Sequence, residues 1–308
     1  MKTTSALSFT LIALMLLLSS VLSHATLILQ ESFDYGATPG TLNGLGSAGG
    51  GWGGSWTTQN NTYTGSPTFT EAYQTGGLTF TSLAVSGGNA FVGVNGDGFL
   101  NAGRAHTASI TGTLYGSYLF RTTSTSASVL SLFEGTGLGL ASASSQFAIE
   151  PMAYAGGGLG GVITGGAYTY GSGTGISAFE TYLVLYKVTG LGGSNVSQTA
   201  KMWMLRDSQY DNFISGGLTE SELDSAGLGS TATDVLQRSS RTITNSAAFA
   251  SGDLLTLQAY FAPFGAQFDE LRVSDTSFNE LVLGSVPEPS RALLLATGML
   301  SLILRRRR

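Results

Sequence analysis

Leu27-Ile28-Leu29-Gln30-Glu31-Ser32-Phe33-Asp34-Tyr35 near one end of the chain and Gln267-Phe268-Asp269-Glu270-Leu271-Arg272-Val273-Ser274 near the other are the stretches on which the fold turns. In the first, Leu27, Leu29, Phe33 and Tyr35 fall on one face and Gln30, Ser32 and Asp34 on the other, the period of a half-buried strand. Glu31 interrupts the apolar face and needs a partner if buried; Arg272, in the closing stretch, is the expected one. In that closing stretch Asp269 and Glu270 are expected to point to opposite faces, because side chains alternate along a strand.

Between these ends, short β-like runs recur at the spacing of a sandwich or barrel. Residues 77–84 and 90–94 are expected strands, the second followed by Asn95-Gly96-Asp97-Gly98, two hairpin-favouring dipeptides. Residues 109–121, 129–133, 199–205, 254–261 and 267–274 read as further strands. In 181–188, Tyr182, Val184, Tyr186 and Val188 alternate with Leu183 and Leu185, so this strand is expected to be covered on both sides. Thr219-Glu220-Ser221-Glu222 has capping-box spacing, which predicts a short helix over 218–226. Residues 36–54 are glycine-rich and run into Gly51-Trp52-Gly53-Gly54-Ser55-Trp56; no Gly-Lys-Ser/Thr follows, so a structured loop is expected and not a phosphate cradle. Trp52 and Trp56 are either a core plug or, with Tyr63 and Tyr73, a sugar-stacking platform.

The 308 residues include 44 glycines, 6 prolines, no cysteine and only 11% charged side chains. This is the composition of an all-β exported protein that holds together by packing and hydrogen bonds, without disulfides. No thiol nucleophile or cysteine-ligated metal is available. Six of the 14 basic residues and one of the 19 acids lie in the two targeting ends described next, leaving eight against eighteen in the body, a net charge near −10. With no basic patch, nucleic acid is not an expected partner.

The first 25 residues have the layout of a signal peptide: Lys2, an apolar run over 11–22, and small residues at Ser23 and Ala25, with cleavage by signal peptidase expected after Ala25. At the other end stand Val286-Pro287-Glu288-Pro289-Ser290, an apolar run over 292–304 and Arg305-Arg306-Arg307-Arg308. The prolines favour an extended, exposed handle. As a helix the apolar run would cover only about 20 Å, against a hydrocarbon core of roughly 30 Å, and the arginines would stay cytoplasmic.

These three parts in order resemble the PEP-CTERM sorting signal of Gram-negative bacteria. The resemblance implies recognition by exosortase, transient anchoring in the inner membrane, removal of the tail, and a place at the cell surface or in the extracellular matrix. Arg291 departs from the pattern, a charge where the apolar run should begin. The expected organisation is a signal peptide over 1–25, one β domain over 26–282 and a sorting signal over 283–308.

Glu31-Ser32-Phe33-Asp34-Tyr35 and Phe268-Asp269-Glu270-Leu271-Arg272-Val273 resemble the first and last strands of a LamG-like, concanavalin A-type jelly roll. The resemblance implies an all-β jelly-roll sandwich in which these two strands lie side by side in the back sheet. The same fold family includes laminarinase-like glycoside hydrolases, which need two carboxyl groups about 5 Å apart. Glu220-Ser221-Glu222-Leu223-Asp224 places acids at every second position, but it departs from the hydrolases' Glu-x-Asp-x-Glu order and carries its own helix start, so a solvated helix face is expected. His106 is the sole histidine of the body, which excludes a Ser-His-Asp triad and a multi-histidine metal site. Arg104 and His106 share a face if extended, and a surface pair is expected there. Asn95-Gly96-Asp97-Gly98 lacks the other acidic ligands of a calcium loop, so no cofactor is expected.

The expected function is therefore an exported surface or matrix protein with a non-catalytic β-sandwich, associated with exopolysaccharide or biofilm. A lectin-like carbohydrate-binding module is the alternative, and a divergent glycoside hydrolase the third reading.

Overall fold

The computed structural model describes residues 27–282, apart from 82, 84, 124–127, 133–146, 151–152, 155–156, 159–160, 165–166, 171, 174–175, 193–195, 215–217, 246–249 and 261–263. The expected signal peptide and sorting tail lie outside the described residues. Leu27–Leu283 cluster as one compact unit, and among the described residues no helix is long and apolar enough to cross a membrane.

The strands are β1 (Leu29–Glu31), β2 (Thr57–Gln74), β3 (Asn89–Ala105), β4 (Gly112–Thr122), β5 (Ser128–Leu132), β6 (Phe147–Glu150), β7 (Ala153–Tyr154), β8 (Gly157–Gly158) and β9 (Gly161–Thr164). They continue with β10 (Ala167–Tyr170), β11 (Ser172–Gly173), β12 (Tyr182–Leu191), β13 (Val196–Leu205), β14 (Gly227–Leu228), β15 (Asp234–Val235), β16 (Gln237–Asn245), β17 (Leu254–Tyr260) and β18 (Phe264–Ser274). Three short helices are α1 (Asp207–Ile214), α2 (Glu220–Ser225) and α3 (Phe278–Val282).

The chain is an all-β jelly-roll sandwich whose two layers are continuous through one long strand. In the first layer β2, β3, β17, β5, β6, β9 and β10 are neighbours; in the second, β1, β18, β4, β12, β13, β16 and β11. The strand β3 joins them because it changes partner: Phe99 to Ala105 pair with β17, whereas Ala90 to Val94 pair with β18. The expected neighbours are adjacent, with Leu29 opposite Val273 and Glu31 opposite Leu271 in an antiparallel pair.

One core lies between the layers. Leu100, Ala102, Leu255, Leu257 and Ile149 face Leu114, Tyr118, Phe120, Tyr182, Val184, Tyr186 and Met202. A second core lies on the outer face of the second layer, where Leu119, Leu183, Leu185, Trp203 and Leu205 are covered by Tyr210, Phe213, Leu223, Phe278 and the loop residues Leu78, Phe80 and Leu83. The expected two-sided burial of β12 follows directly: its even residues enter the first core and Leu183 and Leu185 the second.

Several expectations are corrected. Glu31 pairs with Arg104, not Arg272. In the β1–β18 register Arg272 stands opposite Gln30, so the period of two sends it to the other face, where it bonds Glu270 Oε2 and Leu281 O, each at 2.7 Å. Asp269 and Glu270 do not point apart. The pairing of β18 with β4 slips between Asp269 and Arg272, and Glu270 has a left-handed backbone, φ +49°. This bulge turns both carboxylates to the loop over 77–87: Asp269 Oδ2 accepts from the Leu78 N–H at 2.8 Å and Glu270 Oε1 from the Ser86 N–H at 2.7 Å.

Residues 77–80 form this loop and no strand, and Asn95-Gly96-Asp97-Gly98 lies inside β3 opposite a double slip of β2 instead of forming a turn. The predicted helix is α2, and its capping box is complete: the Glu222 N–H donates to Thr219 Oγ1 and the Thr219 N–H to Glu222 Oε2, each at 3.2 Å. Its acids are less solvated than expected, since Glu220 and Asp224 both reach Lys201 at 2.7 Å and the Trp203 indole N–H donates to Asp224 Oδ1 at 2.9 Å.

Candidate functional site

The tryptophans are core residues. Trp56 is fully buried, Trp52 and Tyr73 nearly so, and the three pack with Phe33 in the inter-layer core. The Phe33 and Trp56 rings stack 5.7 Å apart, and the guanidinium of Arg104 lies 4.6 Å over the Trp52 ring. The expected surface pair is likewise corrected: Arg104 and His106 are both buried. Arg104 donates to Glu31, to Gly54 O and Ser47 O at 2.8 Å each, and to the Tyr35 hydroxyl at 3.1 Å.

The glycine-rich loop is what allows this closure. Gly46 has φ +86°, which a larger residue would adopt only with strain, and a side chain there would start 2.7 Å from the Arg104 guanidinium carbon and push it out of place. Burial lowers the His106 pKa, and its Nδ1 sits 3.0 Å from Ala108 O. A stacking platform built on Trp52, Trp56 and Tyr73 is therefore overturned, because these rings have no face open to a ligand. The Tyr63 side chain, in β2, is outside the described ones.

An open cavity lies elsewhere, at one end of the second layer. It has a volume of about 390 Å³ and collects residues from four places: Phe80 from the 77–87 loop, Arg121 from the end of β4, Phe179 and Glu180 from the turn before β12, and Arg206 and Asp207 where β13 runs into α1. The sheet register brings these together. Tyr182 is opposite Phe120 and Leu183 opposite Leu205, so the end of β4, the start of β12 and the end of β13 lie side by side. Arg121 follows Phe120, which points inward, so Arg121 points outward into the cavity.

Phe179 stands at the mouth. It is 69% exposed, the most exposed large apolar side chain among the described residues, and its φ is +65°. That conformation is unfavourable for an L-residue with a bulky side chain, by roughly 1–2 kcal/mol, where glycine or asparagine would adopt it readily. Phe179 is held there all the same. Its N–H donates to Thr122 O at 2.8 Å. Below it, the Tyr182 hydroxyl accepts from the Ser177 N–H and donates to Glu180 Oε2, both at 2.7 Å, and burial pushes the Tyr182 pKa up.

The charges in the cavity are arranged unequally. Arg206 Nε is 2.9 Å from Glu180 Oε1. Asp207 Oδ2 accepts from the Thr81 N–H at 2.7 Å, while its Oδ1 is buried. Arg121 Nε donates to Gln267 Oε1 at 2.6 Å, and Gln267 Nε2 donates onward to Gln74 Oε1. The two terminal amino groups of Arg121 have no protein partner among the described residues. No group of histidine, aspartate or glutamate side chains among the described residues is arranged to hold a metal ion.

Phe179, Arg206 and Asp207 are not legible as a site in the sequence. The one available signal was an aromatic residue just outside the alternating run that begins at Tyr182, placed where it has no core face to join.

No family model and no curated protein matches this chain. Solved structures do. A carbohydrate-binding module, CBM66 from Bacillus subtilis, is 13% identical, with 71% of this chain and 94% of that one covered and a TM-score of 0.34. The metal-free carbohydrate recognition domain of Emp46p is 8% identical, covering 69% and 89%, with a TM-score of 0.37. A legume lectin-like domain from Entamoeba histolytica is 7% identical, covering 63% and 87%, with a TM-score of 0.33. Likenesses this shallow carry no inference about what this chain binds.

Proposed function

We propose that this chain is an exported, exosortase-sorted surface or matrix protein whose β-sandwich binds carbohydrate at the Phe179 cavity without acting on it. The observation that carries the binding part is Phe179 itself. An exposed aromatic ring held in an unfavourable backbone conformation weakens the fold on two counts, and such strain concentrates where function requires it. Its open face suits the apolar face of a sugar ring, and the polar side chains behind it suit the hydroxyls. Glu180 and Asp207 are engaged by Arg206, Tyr182 and Thr81, which favours binding over general acid and base work.

Export and sorting rest on the resemblance of Val286-Pro287-Glu288-Pro289-Ser290, the apolar run and the four arginines to a PEP-CTERM tail. A glycan array probed with the full-length protein and with Phe179→Gly tests the binding. Retained glycan binding in Phe179→Gly moves the site elsewhere, and no binding by a folded wild type leaves a structural matrix protein. Mass spectrometry of the exported form tests the sorting: cleavage after Ala25 and loss of the C-terminal tail are expected, and an intact tail counts against exosortase.

A further inference from the structure

We infer that the sugar taken by the Phe179 cavity carries a carboxylate, and that Arg121 is the residue that reads it; this rests on the glycan-binding reading above. The physical basis is how Arg121 is held. Its Nε edge is fixed by Gln267, which is itself buried and fixed by Gln74 across the neighbouring strands. A guanidinium anchored through Nε presents its two terminal amino groups outward as a rigid fork, and two parallel N–H groups match the two oxygens of a carboxylate.

The other charges do not compete for this role. Arg206 is neutralised by Glu180 at 2.9 Å. Asp207 gives one oxygen to the Thr81 N–H and buries the other. Arg104, by contrast, shows the same fork in closed form, with its ends taken by Glu31, Ser47 O and Tyr35. Arg121 is thus an oriented cation in the same cavity as an exposed ring, and a uronic acid presents both complements at once: a C–H face for Phe179 and an acid for the fork.

The body's net charge near −10 opposes an acidic polymer at long range. That repulsion is screened beyond about 8 Å at physiological ionic strength, while the fork acts in contact. The consequence is specificity with modest affinity: an acidic chain binds through local geometry and against the overall field.

The test compares polygalacturonate with its methyl ester, the same chain with its acids masked, and with neutral dextran, in about 0.15 M salt. The full-length protein is expected to bind polygalacturonate about tenfold more tightly than the ester. Arg121→Gln should abolish that difference, and Arg121→Lys should restore only part of it because the charge returns without the fork. Gln267→Ala, which frees Nε, should weaken polygalacturonate binding while leaving the ester unchanged. Equal binding of acid and ester by the wild type overturns the inference and leaves the glycan reading standing, provided Phe179→Gly still removes both. Failure to bind any of the three overturns the inference, and the glycan array then decides the binding reading by itself. The wild-type comparison needs no variant, so misfolding of a mutant does not blunt it.

Discussion

Two arginine–aromatic clusters sit in the same sandwich and have opposite fates. At Arg104 the rings of Trp52 and Trp56 are buried, and Glu31, Tyr35 and two loop carbonyls complete the hydrogen bonding. At Arg121 the ring of Phe179 stands in solvent and the ends of the guanidinium are open. Residue types alone do not distinguish the two. What separates them is closure: a glycine-rich loop can fold over the first because Gly46 leaves room, whereas a strained turn holds the second apart. A closed cluster adds to stability and an open one subtracts from it. That difference is what makes the second the candidate site.

Breaking the closed cluster should have the largest effect. Arg104→Ala leaves Glu31 charged and buried without its partner, and is expected to cost about 3–5 kcal/mol in chemical denaturation. Trp56→Ala should cost a similar ~3–5 kcal/mol through the cavity it leaves. A loss below about 1 kcal/mol in both would mean that this region is not closed in solution.

A second prediction concerns the bulge that holds the loop beside the open cluster. Burial pushes the Asp269 pKa up to about 8, from near 4 in the unfolded chain. Between these values the folded state holds a proton that the unfolded state has released, so stability falls as pH rises through this window. His106, kept neutral by burial, contributes the opposite slope below about pH 6.5. The clean interval is therefore pH 6.5–8, where melting temperature should fall for the wild type and stay flat for Asp269→Asn. A flat wild-type profile in that interval would show Asp269 to be ionised in the fold.

Smaller effects sharpen the contrast. Thr219→Ala removes the capping box of α2 and should cost about 1 kcal/mol, read as a lower denaturation midpoint. Phe179→Gly should leave stability unchanged or raise it by up to about 1 kcal/mol, since relief of the left-handed backbone outweighs the added freedom of the unfolded chain. A clear loss of stability in Phe179→Gly would make this ring structural and remove the distinction between the clusters.

Much of the fold was legible because its signals are local. The alternation in 181–188 marks a strand that buries both faces, and Thr219-Glu220-Ser221-Glu222 marks a helix start, since each pattern needs only the residues it contains. The strand expected over 27–35 is cut to Leu29–Glu31, because Phe33 takes a left-handed backbone, φ +51°, although burial still alternates along it. Other elements gave no such signal. The 18-residue strand β2 is rich in Thr, Asn and Gln and largely exposed, so no sustained apolar alternation marks it in the sequence. The loop over 77–87 looked like a strand because Leu78, Phe80 and Leu83 are apolar, yet they cap the outer core from outside the sheet. The dipeptides at 95–98 suggested a turn, but β2 and β3 run past them as a slipped pair.

The sequence by itself determined which segments alternate, which end in a cap, and that no thiol or histidine cluster is available for catalysis. Only the tertiary structure decided which arginine is paired and which aromatic is exposed. The reason is range: a period is a property of neighbours along the chain, whereas Glu31 meets Arg104 across 73 residues and Arg121 meets Gln267 across 146. A one-residue choice of register, or a single bulge such as that at Glu270, sends a side chain to the other face. Both are settled by the packing of the two layers.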